Sequence, residues 1–274
     1  GRENSLAWAI QKNELVKKVY LIPGNAGSER INKCERIKID INNRNELIDK
    51  LDFFKIDLVV IGPEEPLVKG LEDFLTKNNI KTFGPSKYAA KLEGSKAFMK
   101  KLCKENNIPT AKFKICKNKF QVLKFIENSE LPIVVKADGL AAGKGVVICE
   151  SKKQVLKFSS EIFKGKFKSS KKLILEEFLK GEEASYFLIV DKNSFKFFGN
   201  AQDHKKVKEK DLGPNTGGMG AYSPAPIITK SIEKKIINKI VKPTLLALKR
   251  KNNPYKGFLY VGLMIKNNEP YLIE

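Results

Sequence analysis

Lys136-Ala-Asp-Gly-Leu-Ala-Ala-Gly-Lys-Gly145 separates two apolar runs, Ile133 to Lys136 and Gly145 to Cys149. Short apolar runs bounded by glycine read as buried strands, so the segment is a strand–loop–strand connection. Gly139, Gly143 and Gly145 let backbone N–H groups close on an anion, and Lys136 and Lys144 add positive charge. The spacing is neither G-x-x-x-x-G-K-[ST] nor G-x-G-x-x-G, and no helix plainly follows at once. The segment therefore reads as a flap over a polyphosphate, although an ordinary glycine hairpin satisfies the same letters.

N-terminal to this segment, strands and helices alternate. A helix is expected over 5–18, where Leu6, Ala9, Ile10 and Leu15 recur near helical spacing, then a strand over 19–22 that ends in the turn cluster Pro23 to Gly27. A helix over 46–54, a buried strand over 56–62, a helix over 67–77 and a strand over 81–84 follow. That alternation predicts a parallel, Rossmann-like α/β domain over 1–93. A helix over 93–107, broken by Ile108-Pro109, opens an α+β domain over 94–274. Its further elements are a helix over 154–163 and strands over 173–178, 185–190 and 194–199. Gln202 to Pro226 shows little regular pattern, and loops of that length are usually functional or disordered. A helix over 231–250, kinked at Pro243, and strands over 257–265 and 270–274 close the chain. The chain opens at Gly1 in mid-motif and stops at Glu274 on a strand-like run, so both domains are expected to be cut.

The composition narrows the chemistry. The 274 residues carry 52 basic and 31 acidic side chains, a formal charge of +21. A nucleic-acid partner is one reading of that charge. However, only Arg2, Arg30, Arg36, Arg44 and Arg250 are arginines, and the lysines are spread evenly beside abundant Asn and Ile. Base readout favours arginine forks, so compositional drift is preferred and no nucleic-acid partner is expected. No run of about 18 apolar residues and no signal peptide is present, so no membrane span is expected. Cys34, Cys103, Cys116 and Cys149 have no metal-binding spacing, which points to a reducing, cytoplasmic setting. With His204 the only histidine, a His-rich metal site is excluded, and carboxylates make Mg²⁺ the natural metal.

Three further segments carry candidate chemistry. Glu176-Glu177-Phe178-Leu179, followed by Gly181-Glu182-Glu183, puts acidic groups at a strand end, where they could meet a base edge and ribose hydroxyls or simply face water. Gln202-Asp203-His204-Lys205 and Asp211 to Gly220 alternate polar side chains with glycines, a pattern able to wrap a small zwitterion and phosphates but shared with linkers. Glu274 ends the apolar run Tyr271-Leu-Ile, as a metal ligand or a salt-bridge partner would.

In this order the segments closely resemble the phosphoribosylamine–glycine ligase (glycinamide ribonucleotide synthetase) family of the ATP-grasp superfamily. The resemblance runs from Gly1 to Glu274. Besides the segments above it is carried by Gly1-Arg2-Glu3, Pro23-Gly-Asn-Ala-Gly27, Gly62-Pro-Glu-Glu-Pro-Leu-Val-Lys-Gly70, Leu92-Glu-Gly-Ser-Lys-Ala-Phe98, Gly213 to Pro226, and Gly257 to Met264. The run Asp211 to Pro226 is the most specific, and other ATP-grasp ligases and carboxylases would keep the flap and the acidic hinge but lack Gly213 to Ala225. The resemblance implies a pre-ATP-grasp domain followed by an ATP-grasp domain, with the flap subdomain within 112–185. It implies that ATP and Mg²⁺ (or Mn²⁺) drive ligation of glycine to 5-phosphoribosylamine through glycyl phosphate, in purine biosynthesis.

By the same resemblance, Lys96 and Lys136 contact ATP phosphates under a flap of Gly143, Lys144 and Gly145. Glu176, Glu177, Phe178 and Leu179 frame the adenine, and Glu183 the ribose. Gly1, Arg2, Glu3, Asn25, Pro63 and Glu64 face phosphoribosylamine. Asp203, Lys205, Asp211 and Asn215, with Thr216, Gly217 and Gly218, lie near glycine and the reacting phosphates. Glu274 matches the glutamate of the family's Glu-Phe-Asn metal motif. Asn4 departs from the family, which usually has His after Gly-Arg-Glu. The first strand and everything after Glu274 are absent from the pattern, so the 274 residues alone are expected to be inactive and poorly stable.

Overall fold

The computed structural model describes residues 1–140, 145–167, 172–209, 212–216 and 218–274. They form two compact units, residues 1–63 with 72–84 and residues 64–71 with 85–274.

The first unit is built on two short parallel ladders. β1 (Val19–Leu21) pairs with β2 (Cys34–Arg36), and β3 (Val59–Val60) pairs with β4 (Thr82–Phe83). Helix α1 (Arg2–Ile10) ends well before the expected residue 18. The reason is local: the Asn13 side chain accepts the Leu15 N–H at 2.9 Å, an Asx turn that competes with helix, and Leu15 stays exposed. Helix α2 (Arg44–Phe53) starts at Asn43, whose side chain accepts the Glu46 N–H while its amide donates to the Glu46 carboxylate. The expected helix 67–77 is two helices separated by Gly70 at φ +85°: α3 (Glu64–Val68), which belongs to the second unit, and α4 (Leu71–Lys77), which from residue 72 onward belongs to the first.

In the second unit, α5 (Lys91–Gly94) and α6 (Lys96–Glu105) replace the single helix expected over 93–107. Ser95 is extended at φ −149°, and its side chain accepts the Phe98 N–H, so α6 begins afresh at Lys96. A four-stranded antiparallel sheet follows, in the order β5-β8-β6-β7, from β5 (Phe113–Cys116), β6 (Ile133–Ala137), β7 (Val146–Cys149) and β8 (Leu173–Glu177). Helices α7 (Lys119–Glu127) and α8 (Lys152–Phe163) give this sheet its own core with Val122, Ile126, Ile133, Val135, Val155, Ile162 and Leu175. The flap sequence therefore joins two antiparallel neighbours, β6 and β7, as a strand–loop–strand reading requires.

A five-stranded antiparallel sheet holds the other core. It runs β13-β10-β9-β14-β15, from β9 (Glu182–Val190), β10 (Phe195–Asp203), β13 (Ala221–Tyr222), β14 (Gly257–Lys266) and β15 (Glu269–Leu272). Nine consecutive pairs, Gly257↔Val190 to Ile265↔Glu182, join β14 to β9. Alternation sends Tyr186, Leu188, Val190, Leu259, Val261 and Leu263 into the core and leaves Glu183, Ser185, Tyr260 and Gly262 on the other face. The stretch expected to be irregular contains β11 (Lys206–Lys208) and β12 (Leu212–Asn215), paired with each other, and β13. The expected kink at Pro243 is a π-helical turn, Ile237–Val241, between α9 (Lys230–Ile236) and α10 (Lys242–Arg250). A wider turn there accommodates a residue that has no N–H to give and whose ring crowds the preceding carbonyls. No described helix is long and apolar enough to cross a membrane.

Two predictions follow from this packing. A Cβ on Gly181 would overlap the backbone carbonyl of Ile265, which cannot rotate away. Gly181→Ala should lower stability by about 1–3 kcal/mol in a urea titration, and an unchanged midpoint would contradict the packing. Burial pushes the Cys103 thiol up to about 12 from an ordinary 9.0, with Lys100 opposing and Glu176 assisting. The unfolded chain therefore ionises first, so the contribution of Cys103 is complete below pH 9 and is lost as pH rises towards 12. Melting temperatures across that range should fall less steeply in Cys103→Ala than in the parent.

Candidate functional site

Helix α6 turns Ala97, Met99, Lys100, Leu102 and Cys103 inward. Lys100 is the one charged residue on that face, and it is 0% exposed. Its ammonium donates to Glu176 Oε2 on β8 at 2.9 Å and to Thr110 Oγ1 at 2.7 Å. Burial pulls its pKa below the ordinary lysine value, while Glu176 pushes it up and Lys136 pushes it down again. Lys136 is a diagonal neighbour of Glu176 across the β6–β8 ladder, in which Val134 faces Glu176 and Lys136 faces Ile174. Lys136 Nζ lies 3.1 Å from the same Oε2 and also donates to the Ile273 carbonyl at 3.1 Å. Thr110 donates to the Leu272 carbonyl, and Leu272 N–H bonds Pro109. One buried carboxylate thus ties together α6, the flap root, the β8 end and the chain leading to Glu274.

A second set of bonds joins the flap root to the start of α6. Asp138 is buried, and its carboxylate accepts from Ser95 Oγ at 3.0 Å and from Ala97 N at 3.1 Å. Lys96 Nζ donates in turn to the Gly139 carbonyl at 3.3 Å and lies 3.9 Å from Glu274 Oε1. Lys96 and Lys136 therefore approach residues 273–274 from two elements, Lys96 at the Glu274 carboxylate and Lys136 at the Ile273 carbonyl. Glu274 is held by Gly262, whose N–H bonds the Glu274 carbonyl at 2.8 Å and whose carbonyl accepts from Ile273.

A third set lies on the open face of the large sheet. Lys205 pairs with Glu183 at 3.0 Å and sits 3.9 Å from Asp203. Burial alone would lower the Lys205 pKa, but Glu183, then Tyr260 and Asp203, outweigh it and hold Lys205 above the ordinary lysine range. Burial raises the Tyr260 phenol; Lys205 opposes this, and Glu274 and Glu183 assist it. Thr216 bonds the Lys205 carbonyl through both N–H and hydroxyl, and Gly218 N–H donates to Thr216 Oγ1.

At the hinge, Glu177 accepts the Lys112 N–H at 2.8 Å, Phe178 is partly exposed and Leu179 is buried. In the first unit, Asn25 donates to Glu3 Oε1 and Asn4 Oδ1, and Ser28 Oγ donates to Asn4 Oδ1 at 2.8 Å. Asn4, the departure from the expected histidine, is thus bound to Asn25. Gly1 precedes α1, Arg2 opens it and Pro63 follows β3, while Glu64 opens α3 in the second unit. Gly145 N-terminally abuts β7, and its carbonyl accepts from Ala137. Gly143, Lys144, Asp211 and Gly217 lie outside the described residues, and the Asn215 backbone pairs with Lys206.

Sequence reasoning missed Lys100, Thr110, Asp138 and Tyr260. Lys100 left a signal, a lone cation on the apolar face of a predicted helix. Among the described residues no three His, Cys, Asp or Glu side chains cluster as a self-contained metal cage. Glu274 offers a partly exposed carboxylate beside Lys96, a donor set that suits Mg²⁺ arriving on phosphates, because Mg²⁺ needs only one or two carboxylates there.

The comparisons with known proteins agree along the whole chain. Residues 1–93 match the family model described as phosphoribosylglycinamide synthetase, N domain, and residues 94–274 match its ATP-grasp (A) domain. A phosphoribosylamine–glycine ligase from Mesorhizobium japonicum is 44% identical over 275 residues, covering 100% of this chain and 64% of the relative. The crystal structure of the phosphoribosylamine–glycine ligase from Thermotoga maritima superposes with a TM-score of 0.84 at 33% identity, covering 100% of this chain and 66% of that one. The biotin carboxylase domain of 2-oxoglutarate carboxylase from Hydrogenobacter thermophilus, in complex with MgADP, ADP and bicarbonate, shares the fold, with a TM-score of 0.74 at 16% identity. It covers 61% of that chain and 100% of this one. The chain spans 64–66% of the length of the curated relatives it matches.

The Asp138 bonds yield a stability prediction. Asp138→Ala leaves Ser95 Oγ and Ala97 N–H without their acceptor and should cost about 1–3 kcal/mol. In a Ser95→Ala background the same change should cost less, because the two residues share a bond. Additive losses in denaturant titrations would show the two residues to be uncoupled.

Proposed function

The chain belongs to the phosphoribosylglycinamide synthetase family, and we propose that the protein ligates glycine to 5-phosphoribosylamine with ATP, through glycyl phosphate. The observation that carries this reading is the unbroken match of both family domains, in order, across residues 1–274. We take residues 1–93 as the pre-ATP-grasp domain and 94–274 as the ATP-grasp domain, with the flap subdomain inside 112–185; the extents of the two family models support the boundary.

A carboxylate becomes an acyl donor only when its oxygen becomes a leaving group. In the first step the γ-phosphoryl moves from ATP to a glycine carboxylate oxygen, and ADP leaves. In the second, the amine nitrogen of phosphoribosylamine attacks the acyl carbon, the bond to the phosphate oxygen breaks, and phosphate departs as the nitrogen loses a proton. Both steps concentrate negative charge, so the protein's task is positioning and charge stabilisation rather than nucleophilic attack by a side chain.

Lys96 and Lys136 take the ATP phosphates; the approach of Lys96 to the Glu274 carboxylate and of Lys136 to the Ile273 carbonyl supports that role. Gly143, Lys144 and Gly145 cover the phosphates and exclude water from the acyl phosphate. Glu176, Phe178 and Leu179 frame the adenine, and Glu177 fixes the hinge through Lys112. Glu183 takes the ribose. Asp203, Lys205, Asp211 and Asn215 orient glycine and the transferring phosphoryl, and Thr216, Gly217 and Gly218 lie near them. Gly1, Arg2, Glu3, Asn25, Pro63 and Glu64 bind phosphoribosylamine. Glu274 would hold Mg²⁺ on the nucleotide, and the ion would supply charge neutralisation at the phosphates. The setting is the cytoplasm, consistent with four free thiols.

The test is an assay of the full-length protein with ATP and phosphoribosylamine, with and without glycine. ADP should form only with glycine, and ADP release that ignores glycine would sink the assignment. Lys136→Met should cut kcat/KM for ATP on the order of 10²-fold or more.

A further inference from the structure

We propose that Lys100 is a positioning residue whose fixed charge lets Lys136 leave Glu176 for the nucleotide phosphates. The proposal rests on the reading that Lys136 contacts those phosphates. Glu176 is buried, and its Oε2 receives both ammonium groups, Lys100 at 2.9 Å and Lys136 at 3.1 Å. Its Oε1 has no partner among the described residues. Two cations against one anion leave the cluster with one positive charge in excess.

The two lysines are not equivalent. Lys100 is wholly enclosed and anchored by a second bond to Thr110, which is itself bonded to Leu272. It cannot follow an incoming anion. The Lys136 side chain keeps 10% of its surface, sits at the flap root, and has as its other partner a backbone carbonyl. It is the transferable member.

A buried carboxylate that loses its only cation is strongly destabilised. If Lys136 alone neutralised Glu176, handing its charge to a phosphate would strand that carboxylate. With Lys100 in place, the departure of Lys136 leaves a one-to-one pair and also removes the like charge that depresses the Lys100 pKa. The cluster thus holds Lys136 ready and gives it up without an orphaned charge.

The experiment is calorimetric binding of ATP and of AMP to the full-length protein and its variants. AMP lacks the outer phosphates, so a general structural defect weakens both ligands, and loss of Lys136 delivery weakens ATP alone. Lys100→Met should weaken ATP by about tenfold and AMP by less than about twofold. In a Glu176→Gln background there is no carboxylate to cover, so adding Lys100→Met should cost ATP less than about twofold. That second comparison decides the matter even if Lys100→Met alone does not fold. Equal weakening of ATP and AMP, no weakening of either, or a loss that persists beside Glu176→Gln would overturn the proposal. Lys136→Met, expected to weaken ATP selectively, separates the two ideas. If it leaves ATP binding intact, the reading of the site and this proposal fall together; if it weakens ATP while Lys100→Met gives one of the adverse results, the proposal alone falls.

Discussion

Burying Glu176 between two lysines is an expensive arrangement. Each ion loses its hydration, and a set of apolar side chains of the same volume would often give equal or greater stability. The gain lies in geometry. Bonds to one carboxylate oxygen fix the middle of α6 against β8 and the flap root on β6, while Thr110 and Lys136 pin the carbonyls of Leu272 and Ile273. The side chains proposed to meet ATP hang from these same elements: Lys96 from the start of α6, the hinge from the end of β8, and Glu274 from the segment that Thr110 and Lys136 pin.

Much of the second unit was legible in the sequence, and for identifiable reasons. Ile133 to Lys136 and Gly145 to Cys149 are apolar runs punctuated by glycine, and they are antiparallel neighbours. Long alternating strands such as β14 declared themselves by length and pattern. The misses were short or locally capped. The break at Ser95 depends on one side chain accepting one N–H. Strand β5 and helix α7 lie in a lysine-rich stretch in which Phe120 points to solvent, so the periodicity is blurred. The early end of α1 was decided by Asn13, a residue whose turn chemistry outweighs the apolar spacing of Leu15.

The candidate site divides along a similar line. Residues that face the proposed ligands carry group chemistry, such as Lys96, Lys136, Glu183 and Lys205, and recur in short glycine-rich strings that a reader of sequence can find. Residues that hold them in place do not. Asp138 looks like any turn residue until its bonds to Ser95 and Ala97 are seen, and Tyr260 looks like one more strand aromatic until it is found beside Lys205, Glu183 and Glu274. All of those partners but Glu274 lie more than 40 positions away in the chain, a distance over which sequence periodicity carries no information.

Gly262 shows how closely the backbone itself is involved. Its neighbours Val261 and Leu263 face the core, while Gly262 opposes Ser185 on the open face, where Glu274 returns across β14. A Cβ there would meet the Tyr260 hydroxyl at 2.8 Å and the Glu274 Cβ at 3.1 Å. The absence of a side chain is what allows the three Gly262 bonds to the 273–274 segment to form. That segment is the one Lys136 grips through the Ile273 carbonyl and Lys96 approaches through Glu274. Donors and charges set in place before the reaction cost no reorganisation when charge develops, which is where electrostatic stabilisation is most effective. The lysines and the carboxylate are therefore preorganised by one shared stretch of backbone, and a glycine with no functional group of its own is as necessary to that arrangement as the charged side chains it supports.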